Sequence, residues 1–371
     1  MRKLITITLI FYLFLAGCDW KLTVPEYVYK DHRHEVLANR NPQTKEQRPF
    51  NNKKLRGTIF STPVTYQSTT VSISVGNLKS TVTKINYHIW RTADDSKTMK
   101  IFPAVNPADH FTILLDTRDF ASKRGEYQIE AYSVDNSGKE TLLSKSVVIF
   151  PQRVPILMYH AVDEYRGQGW KLLFVSPANF ERQMQYLKDN GYTLLTFERF
   201  SDINKVNKPI FVTFDDGMKN NMNALKILKK LEDHKFKPAA TEFVIAGRID
   251  SGSYSLSSTD IKEMVNSGIF SIQSHTMSHS DLRSVTDYVQ ELKLSKEKIE
   301  QVTGKPVIAL AYPMGYFNDK VVEETEKYYK FAVTTKYGLF VERGLSNELF
   351  LLHRIPIHST TTIPEFATMI R

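Results

Sequence analysis

Pro209-Ile210-Phe211-Val212-Thr213-Phe214-Asp215-Asp216-Gly217 begins as an unbroken apolar and β-branched run and stops in two carboxylates and a glycine. A short run without polar alternation suits a strand of a parallel sheet, covered on both faces. The same rhythm recurs around it. Val154–Tyr159, Ala240–Ile245, Phe270–Gln273, Val307–Tyr312 and Phe331–Thr335 read as further buried strands. Asn179–Asp189, Met218–Leu231, Ser258–Asn266, Asp281–Val302 and Asn318–Tyr329 read as the helices between them. Alternating strand and helix predicts an α/β fold, a complete or incomplete β/α barrel spanning 151–371.

Upstream, over 55–150, the period changes. Thr70-Val71-Ser72-Ile73-Ser74-Val75 and Lys84-Ile85-Asn86-Tyr87-His88-Ile89-Trp90 alternate cleanly, and turn residues such as Asp135-Asn136-Ser137-Gly138 separate segments of this kind. Short alternating strands without a helical stretch predict a small all-β sandwich. Its aromatic and turn positions resemble the streptococcal Bsp-like repeats found beside bacterial wall enzymes. It holds no catalytic cluster, which suits a spacer or a wall-binding module. Residues 18–54 are polar and charged and read as a solvated tether. His32 and His34 on that arm are poor metal candidates.

The chain has 371 residues, one cysteine, and 49 basic against 40 acidic side chains. A single cysteine excludes an intramolecular disulfide framework and a Cys-based zinc site, so any metal must be held by His, Asp or Glu. Residues 1–17 carry Arg2 and Lys3, an apolar run from Leu4 to Leu15, and small residues before Cys18, as an export signal does. Leu15-Ala16-Gly17-Cys18 resembles the lipobox of bacterial lipoproteins, which implies lipidation at Cys18 and an extracytoplasmic, membrane-anchored protein. The alternative is an ordinary secretory signal that contains a cysteine. The formal charge of +9 suits anionic partners in general without choosing among them. Lys226, Lys229 and Lys230 read as a solvated helix face, and neither a nucleotide fingerprint nor a nucleic-acid patch is present.

Two clusters carry chemistry, each just beyond a strand, where a β/α barrel builds its site. In Asp215-Asp216 one carboxylate can hold a metal while its neighbour faces a water on that metal. In Ser274-His275-Thr276-Met277-Ser278-His279 the two histidines meet one ion if the segment makes a helical turn. Together they form a set of two histidines and one carboxylate that leaves a position open.

These two segments resemble the first two motifs of the polysaccharide deacetylases (carbohydrate esterase family 4, the NodB homology domain). Val154-Pro155-Ile156-Leu157-Met158-Tyr159-His160, Phe174-Val175-Ser176-Pro177-Ala178-Asn179-Phe180 with Gly191-Tyr192, and Ala311-Tyr312-Pro313-Met314-Gly315 resemble the branch containing the poly-β-1,6-N-acetylglucosamine deacetylases. The resemblance implies that Asp215 is the general base. It implies that Asp216, His275 and His279 bind a divalent metal, zinc first and cobalt or nickel next, and that the Met314 amide stabilises the oxyanion. The general acid is either His160, after the first strand, or His353, in Leu351-Leu352-His353. Ala311 stands where many members carry an arginine that orients the base. Arg354 is the nearest replacement, although an arginine there reads as solvent-facing. Tyr312, Tyr165 and Trp170 are read as groove-lining aromatics.

The resulting expectation is a metal-dependent, lipid-anchored hydrolase that removes acetyl groups from an N-acetylglucosamine polymer. A β-1,6-linked exopolysaccharide ranks ahead of peptidoglycan. The alternative is a catalytically silent, glycan-binding wall protein built on the same barrel.

Overall fold

The computed structural model describes residues 57–78 and 81–371, so the signal segment, the tether and Cys18 lie outside the described residues. The first part is antiparallel. β1 (Thr58–Ser61), β2 (Thr70–Gly76) and β5 (Ile113–Asp116) form one sheet, in the order β1-β2-β5. β3 (Ile85–Arg91), β4 (Lys100–Ala104), β6 (Gly125–Val134) and β7 (Glu140–Phe150) form a second, in the order β4-β3-β6-β7. Alternate residues turn inward along each strand, so Val71, Ile73 and Val75 share one core with Ile85, Tyr87, Ile89, Tyr127 and Ile129. Burying side chains of this size stabilises by about 1.5–3 kcal/mol each, before the entropy of ordering the chain is set against it.

The second part is the β/α barrel. Its elements are β8 (Ile156–Tyr159), β9 (Ala161–Val162), β10 (Phe174–Val175), α1 (Pro177–Asp189), β11 (Thr193–Leu195), β12 (Pro209–Phe214) and α2 (Met222–Leu231). There follow β13 (Ala240–Val244), α3 (Ser258–Asn266), β14 (Phe270–Ser274), α4 (Ser295–Thr303), β15 (Ala309–Ala311) and α5 (Asp319–Glu326). The chain ends with β16 (Phe331–Tyr337), β17 (Leu352–Pro356) and α6 (Ile363–Met369). Seven parallel strands close a ring in the order β8-β12-β13-β14-β15-β16-β17 and back to β8. β11 pairs with the first half of β12, and β8 pairs with its second half. The short β9 and β10 form a separate parallel pair.

The six strands expected from the sequence are present. β11 and β17 were not expected, and β17 closes the ring. The helix expected over 281–302 is also corrected: a π-helical segment at Val289–Leu294 leads into α4.

Side-chain parity organises the barrel. Ile156, Phe211, Phe243, Ala309, Ala311, Val333 and Leu352 pack together inside the ring. Leu157, Tyr159, Val212, Phe214, Ile272, Leu310 and Ile355 point the other way, into the core under the helices. Because successive residues of a strand face opposite sides, each strand sends one parity class into the barrel and the other outward.

Candidate metal centre and active site

On β12 the inward class runs Phe211, Thr213, Asp215; on β8 it runs Ile156, Met158, His160. On β14 it runs Ser271, Gln273, His275, and on β17 Leu352, Arg354. These four strands therefore direct Asp215, His160, His275 and Arg354 toward the mouth at the carboxyl end of the ring.

Asp216, His275 and His279 offer three ligand atoms that all lie within 4.8 Å of one another. His275 Nε2 is 3.7 Å and His279 Nε2 3.6 Å from Asp216 Oδ1. Ligands about 2.0–2.2 Å from a zinc-sized ion stand roughly 3–4 Å apart, so this donor set fits a divalent metal. His275 Nδ1 lies 2.8 Å from the carbonyl of Ala311, an acceptor. That bond keeps the proton on Nδ1 and leaves Nε2 free as a ligand. Burial lowers the His275 pKa against the pull of Asp215 and Asp216, which favours the neutral ring that a ligand needs.

The histidines do not meet through a helical turn, which corrects the sequence expectation. Residues 275–280 form an irregular loop, with Thr276 at φ 65° and His279 at φ 62°. The loop is held by the buried carboxylate of Glu291, which accepts from the N–H of Met277 (3.1 Å), the N–H of Ser278 (3.0 Å) and the hydroxyl of Ser278 (2.5 Å). Thr276 Oγ1 accepts from the His279 N–H at 3.0 Å. Asp216 also takes a left-handed backbone, φ 77°, which turns its carboxylate away from the direction of Asp215.

Arg354 is buried, not solvent-facing. Its Nη1 and Nη2 donate to the two oxygens of Asp215, each at 2.7 Å. Its remaining donors reach the Thr334 carbonyl at 2.9 Å and Thr213 Oγ1 at 3.2 Å. An arginine from the last barrel strand thus occupies the orienting place that Ala311 leaves empty. Burial pushes the Asp215 carboxyl up, but Arg354, His275 and His160 hold it well below the usual carboxylate range. It is therefore ionised at neutral pH and fixed in orientation by a bidentate partner.

The two acid candidates separate by parity. His160 lies inward, where burial lowers its pKa while Asp215 and Asp216 pull it up. His353 shares the outward class with Ile355, and it lines a cleft with Leu339, Arg343, Asn347 and Leu351. The charged groups that act on it are Lys336 and Arg343, not the site carboxylates. A histidine not singled out from the sequence, His358, stands beside His160. Pro356 pairs with Met158, and the Ile357 N–H donates to the Met158 carbonyl at 2.9 Å, so two residues further on the chains bring His358 level with His160.

Tyr312 does not line a groove. Ala309 and Ala311 take the inward positions of β15, which sends Tyr312 outward, fully buried against Phe317. Tyr165 is tied into its own loop, its hydroxyl donating to the Gly169 carbonyl at 3.2 Å and its ring meeting the Phe174 ring edge-on. Trp170, 80% exposed, projects from the loop before β10. Met314 is 46% exposed in a left-handed conformation (φ 57°), and among the described residues its N–H has no carbonyl partner. Gly315 holds this turn: its φ is 72°, and a Cβ there would lie 1.9 Å from Thr335 Oγ1.

Behind the site, Glu242 is fully buried and accepts from Asn221 Nδ2 at 3.1 and 3.2 Å. Asn221 Oδ1 accepts from the Val162 N–H at 3.3 Å, which joins the His160 loop to the Asp216 loop. Burial pushes the Glu242 carboxyl well up against the pull of Asn221, with Asp215 and Asp216 adding to the push. The signal for Glu242 is visible in the sequence as one acid inside a buried strand, Ala240–Val244; Glu291 has no such signal.

The chain is similar to known proteins. The family model described as "Polysaccharide deacetylase" matches residues 202–330. A polysaccharide deacetylase of Bacillus cereus, BC0361, is 57% identical, with a TM-score of 0.83 over 85% of this chain and 100% of that one. The Streptococcus pyogenes deacetylase PplD, solved in complex with acetate, is 32% identical, with a TM-score of 0.53 over 60% of this chain and 99% of that one. The poly-beta-1,6-N-acetyl-D-glucosamine N-deacetylase of Staphylococcus aureus (strain MRSA252) is 27% identical over 187 residues, which are 45% of this chain and 61% of that protein.

Proposed function

From the premise that the chain belongs to the polysaccharide deacetylase family and is a polysaccharide N-deacetylase, we propose that it is metal-dependent and acts on an N-acetylglucosamine polymer at the cell envelope. A β-1,6-linked exopolysaccharide is the first substrate and peptidoglycan the second, with Cys18 as the lipid attachment point. The observation that carries the reading is the convergence of the Asp216, His275 and His279 donors with an ionised, arginine-clamped Asp215 at one barrel mouth.

An acetamide is a weak electrophile. Asp216, His275 and His279 would hold a divalent ion, which would polarise that carbonyl and lower the pKa of a water. Asp215 takes a proton from the attacking water, its lone pairs aimed by Arg354. The Met314 N–H donates to the carbonyl oxygen as that oxygen gains charge. His160 gives a proton to the amine nitrogen as the C–N bond breaks. Acetate and a free amine leave.

The test is acetate release from β-1,6-linked glucosamine oligomers, peptidoglycan and chitin oligomers in parallel, with zinc, cobalt or nickel added. Asp215→Asn is expected to keep its metal and lose about 10²–10⁴-fold in turnover. His160→Ala is expected to lose turnover on a similar scale, and His353→Ala to stay within severalfold of the parent. A larger loss in His353→Ala than in His160→Ala overturns the acid assignment. Release from none of the glycans at saturating metal overturns the function itself.

A further inference from the structure

Tyr254 lies in the loop between β13 and α3, and its ring is left in water, 73% exposed. Its backbone is nevertheless held along one side. The Lys219 N–H donates to the Tyr254 carbonyl at 2.9 Å, Ser255 bridges to Met218, and the Leu256 N–H donates to the Gly217 carbonyl at 2.9 Å. The segment 254–256 therefore runs directly alongside 217–219, the residues that follow the metal-ligand candidate Asp216. Asp216, Gly217, Arg248 and Ser255 line a crevice next to this segment that is too narrow to admit a water molecule. The Tyr254 hydroxyl donates to Gln168 Oε1 at 3.2 Å, which fixes the far end of the ring to the loop that carries Trp170. β13 neighbours β12 in the ring of strands, and these contacts set Tyr254 beside the loop that carries Asp216.

An aromatic ring tethered at both ends and uncovered by its own chain is a surface prepared for something else. Tyrosine offers a large, rigid, amphipathic face whose contact costs little side-chain entropy, and here that entropy is already reduced. The C–H face of a pyranose is its complement, with Gln168, Ser255 and Arg248 at hand for the ring hydroxyls. Tyr316 is less suited: it is 44% exposed, and the Arg283 guanidinium covers it at 4.1 Å.

We propose that Tyr254, clasped by Gln168 beside Asp216, stacks on the sugar residue adjoining the one that loses its acetyl group, so that the enzyme reads a glycan chain and not a single N-acetylglucosamine unit. The inference rests on the deacetylase reading given above.

The experiment measures kcat/KM of the full chain, loaded with zinc, on N-acetylglucosamine oligomers of increasing length, starting from the single sugar, in whichever linkage the parent enzyme deacetylates. Parent activity is expected to rise with the second or third residue. Tyr254→Ala is expected to lose about tenfold on the oligomers, ~1.4 kcal/mol, mainly in KM. On the single sugar it should stay within about twofold, and Tyr254→Phe should restore most of the loss because the ring remains. An equal loss at every length, or no loss at any, overturns the proposal. If the parent releases no acetate at all, the functional reading fails. Calorimetric binding of the same oligomers then decides Tyr254 by itself: weaker binding of long oligomers in Tyr254→Ala supports it, and unchanged binding overturns it.

Discussion

The guanidinium of Arg354 makes Asp215 usable as a base. A buried carboxyl without a partner resists ionisation, whereas this one is held ionised by a bidentate cation. Its folded pKa is depressed, so its contribution to stability is present above the unfolded value of about 3.9 and is lost as pH falls through the folded value. Arg354→Met reverses the sign at neutral pH by leaving a buried charge unpaired. The expected cost is about 3–5 kcal/mol in urea unfolding, with the acid limb of the kcat/KM profile moved to higher pH. An unmoved acid limb would show that Asp215 is not the titrating base. Asp215 itself was legible, since a carboxylate at a strand end is conspicuous. Arg354 was named as a replacement, but its burial was not legible, because Leu352-His353-Arg354-Ile355-Pro356 carries two charged or titratable groups and a proline and does not look like a strand. Parity would have found it: a strand that places Leu352 in the barrel also places Arg354 there and turns His353 away.

At the scale of elements, the metal candidates depend on a loop that is not helical. Left-handed residues at 276 and 279 cost free energy, and the three hydrogen bonds to Glu291 offset it. Glu291 projects from the π-helical segment, an irregularity often found at functional sites. Glu291→Ala is expected to weaken zinc binding by about 10–100-fold in a competition titration while far-ultraviolet circular dichroism is unchanged. Equal affinity in parent and variant would remove Glu291 from the site's support. The His-x-x-x-His spacing was enough to identify the pair. It could not reveal the conformation, because a helical turn and a pinned loop both bring residues four apart together. Only the loop needs a partner 13 or 14 positions away, and no local pattern announces one.

For the molecule as a whole, the β-sheet region is joined to the barrel by polar contacts. Arg91, buried, donates to Asn207 Oδ1 at 2.9 Å. The Glu126 N–H donates to the Asn204 carbonyl at 2.7 Å. Arg91→Ala leaves Asn207 Oδ1 without that donor. In calorimetry the parent is expected to unfold in one transition and the variant in two, with the β-sheet region melting first. A single unshifted transition in Arg91→Ala would mean that the two parts are not coupled through this contact. Alternation within strands made the β-sheet region readable, and unbroken apolar strands between helices made the barrel readable. The contact between them was not readable, because it depends on single polar residues in loops, where period carries no information.

The pairing of Asp215 with Arg354 spans 139 positions of chain. Contacts so distant in sequence form late, after the loop between them has been closed by others. Neither the ring nor the base is complete until β17 docks between β16 and β8. A chain that has folded only through β16 holds the Asp215 and His275 segments and yet lacks the arginine partner of Asp215. Recovery of activity on refolding is therefore a clock for the arrival of the final strand, and the barrel's closure is also the moment at which the enzyme is switched on.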